Sequence, residues 1–377
     1  MTPCDHRPGG LRLALITLVV LAAGAWAAAA QAAEVPVVTG TSPASPANDN
    51  APAVVGTADP GATVTIYATA ACSDGGPALG SGLAAAGGAF SVPVSVPDDS
   101  TTTFFATAQL AADPLPSACS STSATYVEDS LAPALPLLTA TAPASPANDN
   151  EPEVQGSAEA GATVQLYGDE TCTGAVLGSG TAETFNGGGI TASVADDTST
   201  TIRAVATDAV GNRSACSTAS LVYVEDSTPP APPVVDGTSP ASPANANSPA
   251  VFGTAEAGST VELFGAAGCL GDVLATGTAE EFGVGIAIAV LDDTTTTLSA
   301  VATDAAGNAS TCSVLGVEYV EDSTPPTTFL ASGPPPLTNE TEQTIELGAS
   351  EPDARFLCSL DAGPSAECTS PVTYAGL

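Results

Sequence analysis

The sequence of 377 residues contains no lysine and is poor in positive charge. Five arginines stand against 41 aspartates and glutamates, which gives a net charge of −36. Nucleic acids and anionic lipids are bound largely through Lys and Arg side chains, so this surface repels both. We therefore expect no nucleic-acid partner. A surface of this kind attracts metal cations and stays soluble through self-repulsion.

Histidine, tryptophan and methionine occur once each, as His6, Trp26 and Met1. All three lie in residues 1–33, where arginines, an apolar run over 13–30 and small residues up to Ala32 follow in the order of a secretory signal peptide. An uncleaved anchor is the alternative, because a run of about eighteen apolar residues just spans a bilayer. With the signal cleaved we expect no integral membrane segment, and an exported protein that is extracellular or on the cell surface.

The scarcity of histidine also limits catalysis. A Ser-His-Asp or Cys-His site needs a histidine, and the predicted exported part contains none. Paired carboxylates can hydrolyse glycosides, but each obvious pair in this sequence recurs in the later copies of the repeat described next, as structural features do. We therefore predict that the protein is not an enzyme.

The sequence repeats itself at the length of a domain. Asn-Asp-Asn at 48–50 returns at 148–150 and, as Asn-Ala-Asn, at 245–247, and each copy closes on Tyr-Val-Glu-Asp-Ser. A period of roughly one hundred residues fits an independently folding domain rather than a solenoid turn or a propeller blade. The predicted repeats are 34–130, 131–228 and 229–324, followed by a truncated fourth repeat at 325–377.

Within a repeat, short strand-like stretches are separated by turns rich in Gly, Asp and Asn. In the second repeat, residues 163–167 alternate apolar and polar side chains as a half-buried strand does. The predicted strands of this repeat are 137–141, 152–159, 163–167, 175–182, 189–195, 200–208 and 220–225. No window outside the signal segment shows helical periodicity. Seven short strands at this spacing predict an all-β protein built of antiparallel β-sandwiches.

Aromatic residues make up only 4% of the chain, so each sandwich must have a thin core. Two sets of aromatics at equivalent positions are expected to be the main packing anchors. They are Tyr67, Tyr167 and Phe264, and Tyr126, Tyr223 and Tyr319. The joints at 131–136, 229–233 and 325–326 are short and rich in proline, which stiffens them. We expect a monomeric, semi-rigid rod.

Eight of the nine cysteines follow the signal segment, two in each repeat, which is typical of structural disulfides in exported proteins. They are Cys72, Cys119, Cys172, Cys216, Cys269, Cys312, Cys358 and Cys368. Cys172 follows the third strand and Cys216 the sixth, and those loops lie at opposite ends of the sandwich. Either the connection after Asn212 folds back along the sheet, or the strand assignment is wrong nearby, or bonds join neighbouring repeats. We expect bonds within repeats.

Acidic and amide residues recur in the loops that share one end of each sandwich and face the next repeat. Calcium prefers six to eight oxygen ligands, so one hypothesis places calcium at these joints. The alternative is that Asp, Asn and Gly supply only turn chemistry. The candidate ligands are Asp49, Asp98, Asp99, Glu128, Asp129, Asp149, Asp196, Asp197, Asp208, Glu225, Asp226, Asp292, Asp293, Asp304, Glu321 and Asp322. Ala246 replaces an aspartate in the third repeat, which weakens the case for calcium there. No other cofactor is predicted.

Two motifs of the second repeat resemble the bacterial Ig-like repeat. They are Gly-Ser-Ala-Glu-Ala-Gly-Ala-Thr-Val at 156–164 and Ala-Thr-Asp-Ala-Val-Gly-Asn at 206–212. The third repeat matches at 253–261 and 302–308. The first matches at 56–64, but has Gln-Leu-Ala-Ala-Asp at 109–113 in place of the later motif. Residues 350–361 with Cys368 are similar to a second bacterial Ig-like subtype. The resemblance implies seven-stranded Ig-like sandwiches from a family that builds surface stalks and adhesins.

The expected function is therefore that of a non-enzymatic surface or extracellular repeat protein acting as stalk, spacer or adhesive element. One alternative is a module that binds a surface glycan or protein. Its nearest candidate is the first repeat, with Phe104, Phe105 and the divergent loop 111–117, although we expect these phenylalanines to be core residues. Another is a fragment of a longer attachment or gliding protein whose active domain lies downstream.

Overall fold

A computed structural model describes residues 32–72, 77–113 and 115–377. The predicted signal segment lies outside these residues, except for its last two. By compactness the chain divides into two units. The first contains the described residues up to Ala134 together with Thr207–Ser214, and the second contains Leu135–Ala206 and Ala215–Leu377. Among the described residues, no helix has the length and apolar character that crossing a bilayer requires.

The first repeat, in the first unit, consists of two antiparallel sheets. Its strands are β1 (Val37–Ser42), β2 (Ala53–Thr57), β3 (Thr63–Tyr67), β4 (Gly80–Leu83), β5 (Ala89–Pro93), β6 (Thr101–Gln109) and β7 (Ala124–Val127). One sheet has the order β1-β2-β5 and the other β4-β3-β6-β7. The core side chains of both sheets form one cluster around Phe104 and Tyr126, neither of which is exposed to solvent.

The third repeat and the second repeat apart from Thr207–Ser214 lie in the second unit, and both repeats follow the same plan. The second contains β8 (Leu137–Ala142), β9 (Glu153–Ser157), β10 (Thr163–Tyr167), β11 (Val176–Thr181), α1 (Ala182–Gly187), β12 (Ile190–Thr191), β13 (Ser199–Thr207) and β14 (Leu221–Val224). The third contains β15 (Val234–Ser239), β16 (Ala250–Thr254), β17 (Thr260–Phe264), β18 (Val273–Thr278), α2 (Ala279–Val284), β19 (Ile286–Ala287), β20 (Thr295–Thr303) and β21 (Val317–Val320). Sheet orders are β12-β9-β8 with β11-β10-β13-β14, and β15-β16-β19 with β18-β17-β20-β21.

The fourth segment forms a smaller pair of sheets. Its strands are β22 (Thr328–Ser332), β23 (Glu342–Ala349), β24 (Phe356–Cys358), β25 (Ala366–Cys368) and β26 (Val372–Ala375). They pair as β22-β23-β26 and β24-β25, all antiparallel. The prediction of an all-β protein of tandem, antiparallel β-sandwiches is confirmed, whereas the boundaries drawn between the repeats stay predictions.

The sequence shows no helical periodicity outside the signal segment, yet the structure contains two six-residue helices, α1 and α2. Thr278 caps α2 by accepting a hydrogen bond from the backbone N–H of Glu281, whose side chain bonds back to Thr278. This capping box is readable in the sequence as Thr-x-x-Glu. Thr181 caps α1 in the same position. The predicted strand 189–195 is shorter in the structure, where β12 contains only Ile190 and Thr191.

Each short helix delivers one phenylalanine to the core. Phe185 of α1 and Phe282 of α2 are fully buried. In the first repeat, which has no helix here, Phe90 of β5 takes the same place. A glycine lies beneath each ring, at Gly56, Gly156 and Gly253, where an added Cβ would collide with both the phenylalanine ring and a backbone carbonyl of the first strand. These glycines provide the close approach that lets a thin core hold a large ring.

The two predicted sets of aromatic anchors have different roles. Tyr126, Tyr223 and Tyr319 are fully buried between the sheets, as expected. The other set lies on the opposite face of its strand, because alternate residues of a strand point to opposite faces. Tyr167 packs there against Cys172 and Val205 in a separate cluster on the outside of the sheet. The expectation that this set anchors the inter-sheet core is therefore wrong.

The contact beneath Phe282 can be tested with two Gly→Ala variants. We expect Gly253→Ala to lower the stability of the third repeat by about 1–3 kcal/mol, as overpacking of a filled core does. Gly283→Ala in α2 is the matched control, since its Cβ would meet no atom within 4 Å. This control should be neutral or slightly stabilising. Calorimetry on the full chain checks both, and equal melting temperatures for the two variants would rule out the proposed contact.

Candidate functional site at the ends of the repeats

Four disulfides close the repeats, each within its own repeat. They are Cys72–Cys119, Cys172–Cys216, Cys269–Cys312 and Cys358–Cys368, with Cα–Cα separations of 5.5, 5.6, 5.7 and 5.8 Å. In the three complete repeats, the first cysteine lies in a turn after the third strand and has a positive φ. The second lies in the connection between the sixth and seventh strands. The predicted disulfide bonds are thus present.

The connection after the sixth strand folds back along that strand, which answers the geometric difficulty raised by the sequence. In the third repeat, the backbone N–H groups of Ser310 and Ser313 donate to the carbonyls of Ala302 and Ala300, at 2.8 and 2.9 Å. The serine hydroxyls accept from the N–H groups of the same two alanines. We call this connection the return segment. It brings the second cysteine from one end of the sheet back to the first cysteine at the other.

At the other end of each sandwich, the buried tyrosine holds the Asn-x-Asn loop through the backbone. The hydroxyls of Tyr126, Tyr223 and Tyr319 donate to the carbonyls of Asp49, Asp149 and Ala246, at 2.8, 2.9 and 2.8 Å. Because the acceptor is a main-chain oxygen, the middle residue of the loop need not be acidic. This explains why Ala246 is tolerated. The Asp49 and Asp149 carboxylates instead accept the N–H two residues further on, which fixes the turn.

The second amide of the Asn-x-Asn loop binds one of the predicted calcium ligands. Asn50, Asn150 and Asn247 donate to Asp98, Asp196 and Asp292, at 2.8, 2.8 and 2.7 Å. The next aspartates, Asp99, Asp197 and Asp293, have positive φ and accept N–H groups of Ser130, Ser227 and Ser323, each at 3.0 Å. Hydrogen bonds from Thr228 and Ser227 hold the pKa of Asp197 below its ordinary value, and those from Thr324 and Ser323 do the same for Asp293. These loops are therefore closed by side-chain hydrogen bonds.

A buried glutamate underlies each of these loops. Glu128, Glu225 and Glu321 are each 1% exposed. One carboxylate oxygen, Oε2, accepts the N–H of Asp99, Asp197 or Asp293, at 2.6, 2.6 and 2.7 Å. The other oxygen, Oε1, is buried in all three repeats and has no hydrogen-bond partner. Such an oxygen can accept a hydrogen bond from water or bind a cation.

The remaining candidate ligands do not gather around this oxygen. Asp129 and Asp226 accept N–H groups of the following linker, and Asp208 and Asp304 lie in a different loop. Within residues 32–72, 77–113 and 115–377, no three acidic, histidine or cysteine side chains are grouped as a metal site requires. Most of the carboxylates already accept protein N–H or O–H groups. Calcium binding at the repeat ends stays a prediction.

The motif Asp-Ala-x-Gly-Asn forms a tight turn at the start of the return segment. We call residues 208–212 and 304–308 the joint turns. The Asp304 carboxylate accepts the N–H groups of Ala306 and Asn308, both at 2.9 Å, and the side-chain amide of Asn308 at 3.0 Å. Burial raises the pKa of Asp304, but the bonds from Asn308 and the turn N–H groups outweigh it, so the pKa lies below the ordinary value. The pKa of Asp208 is lowered in the same way.

The asparagine that ends each joint turn bridges two repeats. Asn308 is only 6% exposed. Its Nδ2 donates to the carbonyl of Asp226 at 2.7 Å as well as to Asp304, and its Oδ1 accepts from Asn148 Nδ2 at 2.6 Å. Both amide hydrogens and the carbonyl oxygen are therefore satisfied, as a buried amide requires. Asn148 and the Asp226 carbonyl belong to the second repeat, and Asn308 to the third.

The same arrangement occurs in the first compact unit. Asn212 donates to the carbonyl of Asp129 at 2.9 Å and to Asp208 at 2.8 Å, and it accepts from Asn48. The compact unit formed by the first repeat includes this joint turn, Thr207–Ser214. We call the pair of groups that receives a joint turn an acceptor end. The two occupied acceptor ends are Asn48 with the Asp129 carbonyl, and Asn148 with the Asp226 carbonyl.

Sequence reasoning missed the residues that make these bridges. Both motifs were recognised, but Asn48, Asn148, Asn212 and Asn308 were not among the candidate site residues. The order of the motifs could have revealed these residues, because each joint turn comes one repeat after an Asn-x-Asn loop. The structure also shows where the two phenylalanines considered as anchors of a binding module lie. Phe104 lies wholly inside the core, and Phe105 is half-buried beside Tyr67 on the neighbouring strand.

The buried tyrosines predict how stability depends on alkaline pH. Burial, followed by the nearby charges of Asp49 and Glu128, raises the pKa of Tyr126, and burial likewise raises the pKa values of Tyr223 and Tyr319. A raised folded-state pKa contributes stability that is complete below the unfolded value of about 10 and is lost as pH rises above it. The chain has no lysine, and its described cysteines are in disulfides, so tyrosines dominate this titration.

Melting temperatures recorded between pH 8 and 11 should therefore fall above about pH 10. Replacing the three tyrosines by phenylalanine is the control. It should lower stability at pH 8, because the hydroxyl bonds are lost, and it should flatten the alkaline fall. A melting temperature that is constant up to pH 11 would contradict the assignment.

The bridging amides predict the effect of Asn148→Ala. The Asn148 side chain is exposed, and its bridging hydrogen bond goes to the next repeat and not to its own. The variant should therefore fold. Losing one hydrogen bond of about 0.5–1.5 kcal/mol should open the joint roughly two- to tenfold more often. A protease that cleaves after acidic residues should then cut faster after Asp226, with cleavage after Asp322 as the internal reference. Unchanged cleavage after Asp226 would show that the bridge does not hold the joint.

No protein-family model matches the sequence, and no curated protein does. Several solved structures are similar to it at low identity. The FN1–FN3 domains of chicken CNTN1 match with a TM-score of 0.31 and 10% identity over 78% of this chain and 99% of that chain. The BSP domain of a biofilm associated protein gives 0.20 and 13%, covering 78% and 67%. A 1.5-MDa bacterial ice-binding adhesin gives 0.28 and 16%, covering 72% and 88%.

Proposed function

We propose that this protein is an exported, non-enzymatic spacer that carries load at or outside a cell surface. The observation that carries the proposal is a combination found in each complete repeat. A disulfide closes the sandwich, and an amide bridge connects the first repeat to the second and the second to the third. Four disulfides suit an oxidising compartment outside the cytosol.

The disulfides are placed where they limit how far a pulled repeat can lengthen. In the second repeat, the Cys172–Cys216 bond encloses the strands β11 to β13, with a sequence separation of 44 residues. The corresponding separations are 47 in the first repeat and 43 in the third. About half of each repeat thus stays shielded from tension even after the sandwich opens. An element that transmits force benefits from this.

The joints supply the second property of a spacer, a defined connection between neighbours. Each bridging asparagine is buried, and all of its polar atoms are satisfied by groups from two repeats. The proline-rich linkers add stiffness, because proline restricts the backbone. An adhesive role is compatible with the same construction, since a spacer places an adhesive surface at a distance from the cell.

Pulling single molecules of the full chain tests the proposal. Oxidised repeats should lengthen on unfolding by only the residues outside the disulfide loop. Reduction should release 44 more residues in the second repeat, or about 150 Å at roughly 3.4 Å per residue. A Cys172→Ala, Cys216→Ala double variant is the matched control, because it should lengthen one unfolding step and leave the other repeats unchanged. Steps of equal length with and without reductant would contradict a load-bearing role for the disulfides.

A further inference from the structure

The third repeat carries an acceptor end of its own, made of Asn245 and the carbonyl of Asp322. The frame around it matches the two occupied acceptor ends. Tyr319 donates to the Ala246 carbonyl at 2.8 Å, and the N–H of Asp322 donates to Ala244 at 3.2 Å. The equivalent bonds in the second repeat are 2.9 Å from Tyr223 and 3.1 Å from Asp226. The backbone that presents the Asn245 side chain and the Asp322 carbonyl is therefore already formed.

This acceptor end is open in the part of the chain that the structure describes. No hydrogen-bond partner reaches the Asn245 amide or the Asp322 carbonyl there. Asp322 is exposed, whereas Asp129 and Asp226, whose carbonyls are occupied, are half-buried. The fourth segment offers no joint turn, since Asn339 is its only asparagine among residues 325–377 and has no aspartate four residues before it.

The first repeat has no joint turn. Where the later repeats have a joint turn, the first repeat has residues 109–113, and this loop closes on itself. Gln109 Nε2 donates to the carbonyl of Asp113 at 3.0 Å, and the Asp113 N–H donates to Leu110 at 2.9 Å. The loop contains no asparagine that could reach a neighbouring repeat. The three repeats therefore have one unused acceptor end and no unused joint turn.

From this asymmetry we infer that the end of the third repeat is a docking site for the joint turn of a further Ig-like repeat. The partner is defined by its chemistry. It presents an Asp-x-x-Gly-Asn turn whose asparagine donates to the Asp322 carbonyl and accepts from Asn245. A side chain with both a donor and an acceptor is required, as in the two occupied joints.

A planar amide suits this site better than a charged group. A carboxylate could accept from Asn245 but has no donor for the Asp322 carbonyl. An arginine or lysine could donate to Asp322 but could not accept from Asn245. The amide of the turn asparagine satisfies both groups, and Asp304 in the same turn shows how a neighbouring aspartate takes the second amide hydrogen.

The test begins with the full chain and a protease that cleaves after acidic residues. If the third acceptor end is open, cleavage after Asp322 should be faster than cleavage after Asp226. Asn245→Ala should not change it, although the equivalent Asn148→Ala raises cleavage after Asp226. Slow cleavage after Asp322 that Asn245→Ala accelerates would show that the end is already occupied, and would overturn the inference.

The second step supplies the partner. A copy of residues 229–324 is inserted between Thr324 and Pro325 of the full chain, and mass spectrometry confirms its additional disulfide. Cleavage after Asp322 should slow by about tenfold, as two hydrogen bonds imply, and Asn245→Ala in this longer chain should restore the original rate. Inserting residues 131–228 instead, which also carry a joint turn, should protect equally and serves as a second variant if the first copy does not fold.

Insertion of residues 34–130 is the matched control, since the first repeat has no joint turn. Cleavage after Asp322 should remain fast, and Asn245→Ala should have no effect. Equal protection by all three insertions would show that any neighbouring repeat shields the joint without the amide bridge. That result would overturn the inference while leaving the spacer proposal, which is tested by pulling, unaffected.

Discussion

The disulfide of each complete repeat is the constraint from which the rest of its architecture follows. It joins a turn after the third strand to the return segment, which has run back along the sixth strand, and so fixes the end of that segment that lies away from the joint turn. Two serines align the segment by exchanging backbone and hydroxyl hydrogen bonds with alanines of the sixth strand. The joint turn at the far end is then held at the surface that meets the preceding repeat. One covalent bond thus positions the residues of the joint.

The composition explains why such a bond is needed. Alanine and threonine are the most frequent residues, and aromatic residues are few, so little apolar surface is buried per residue. The structure compensates at particular places. One tyrosine and one phenylalanine fill the space between the sheets in the second and third repeats, and the first repeat has Phe104 in addition to Phe90 and Tyr126. A glycine under Phe90, Phe185 or Phe282 lets the strands approach. At the ends, polar groups replace apolar contacts, with tyrosine hydroxyls and asparagine amides bound to backbone carbonyls. Protein N–H and hydroxyl groups serve as partners for carboxylates in a chain that has almost no cations.

The sequence was sufficient to predict the repeats, the β-sandwich architecture and the cysteines, because each of these is a periodic property. Strand 163–167 was correctly bounded, since alternation and flanking glycines define it. The two short helices were missed because a single turn is too short for a periodic signal, although the Thr-x-x-Glu capping box of α2 was readable. Tyr167 was placed in the wrong layer because equivalence between repeats shows that a position matters but not which face of the strand it occupies.

The bridging asparagines could not be derived from one repeat at a time. Asn308 has partners 82 and 160 residues away in the chain, and no local pattern reveals such contacts. The predicted site consisted of acidic residues because carboxylates at a joint suggest calcium. The structure places several of those carboxylates within turns, while neutral amides make the contact between repeats. Charge is conspicuous in a sequence, whereas the geometry of an amide with three satisfied hydrogen bonds is not.

Hydrogen exchange of the joint turns, with and without the disulfides, tests the central relation between covalent closure and the joint. In the oxidised chain, the backbone N–H groups of residues 304–308 should be protected, because Asp304 and Asn308 hold the turn. Removal of the Cys269–Cys312 bond by paired alanine substitutions should release the return segment and accelerate exchange in this turn. The joint turn of the second repeat, residues 208–212, should remain protected. Unchanged protection of residues 304–308 after the bond is removed would contradict the account.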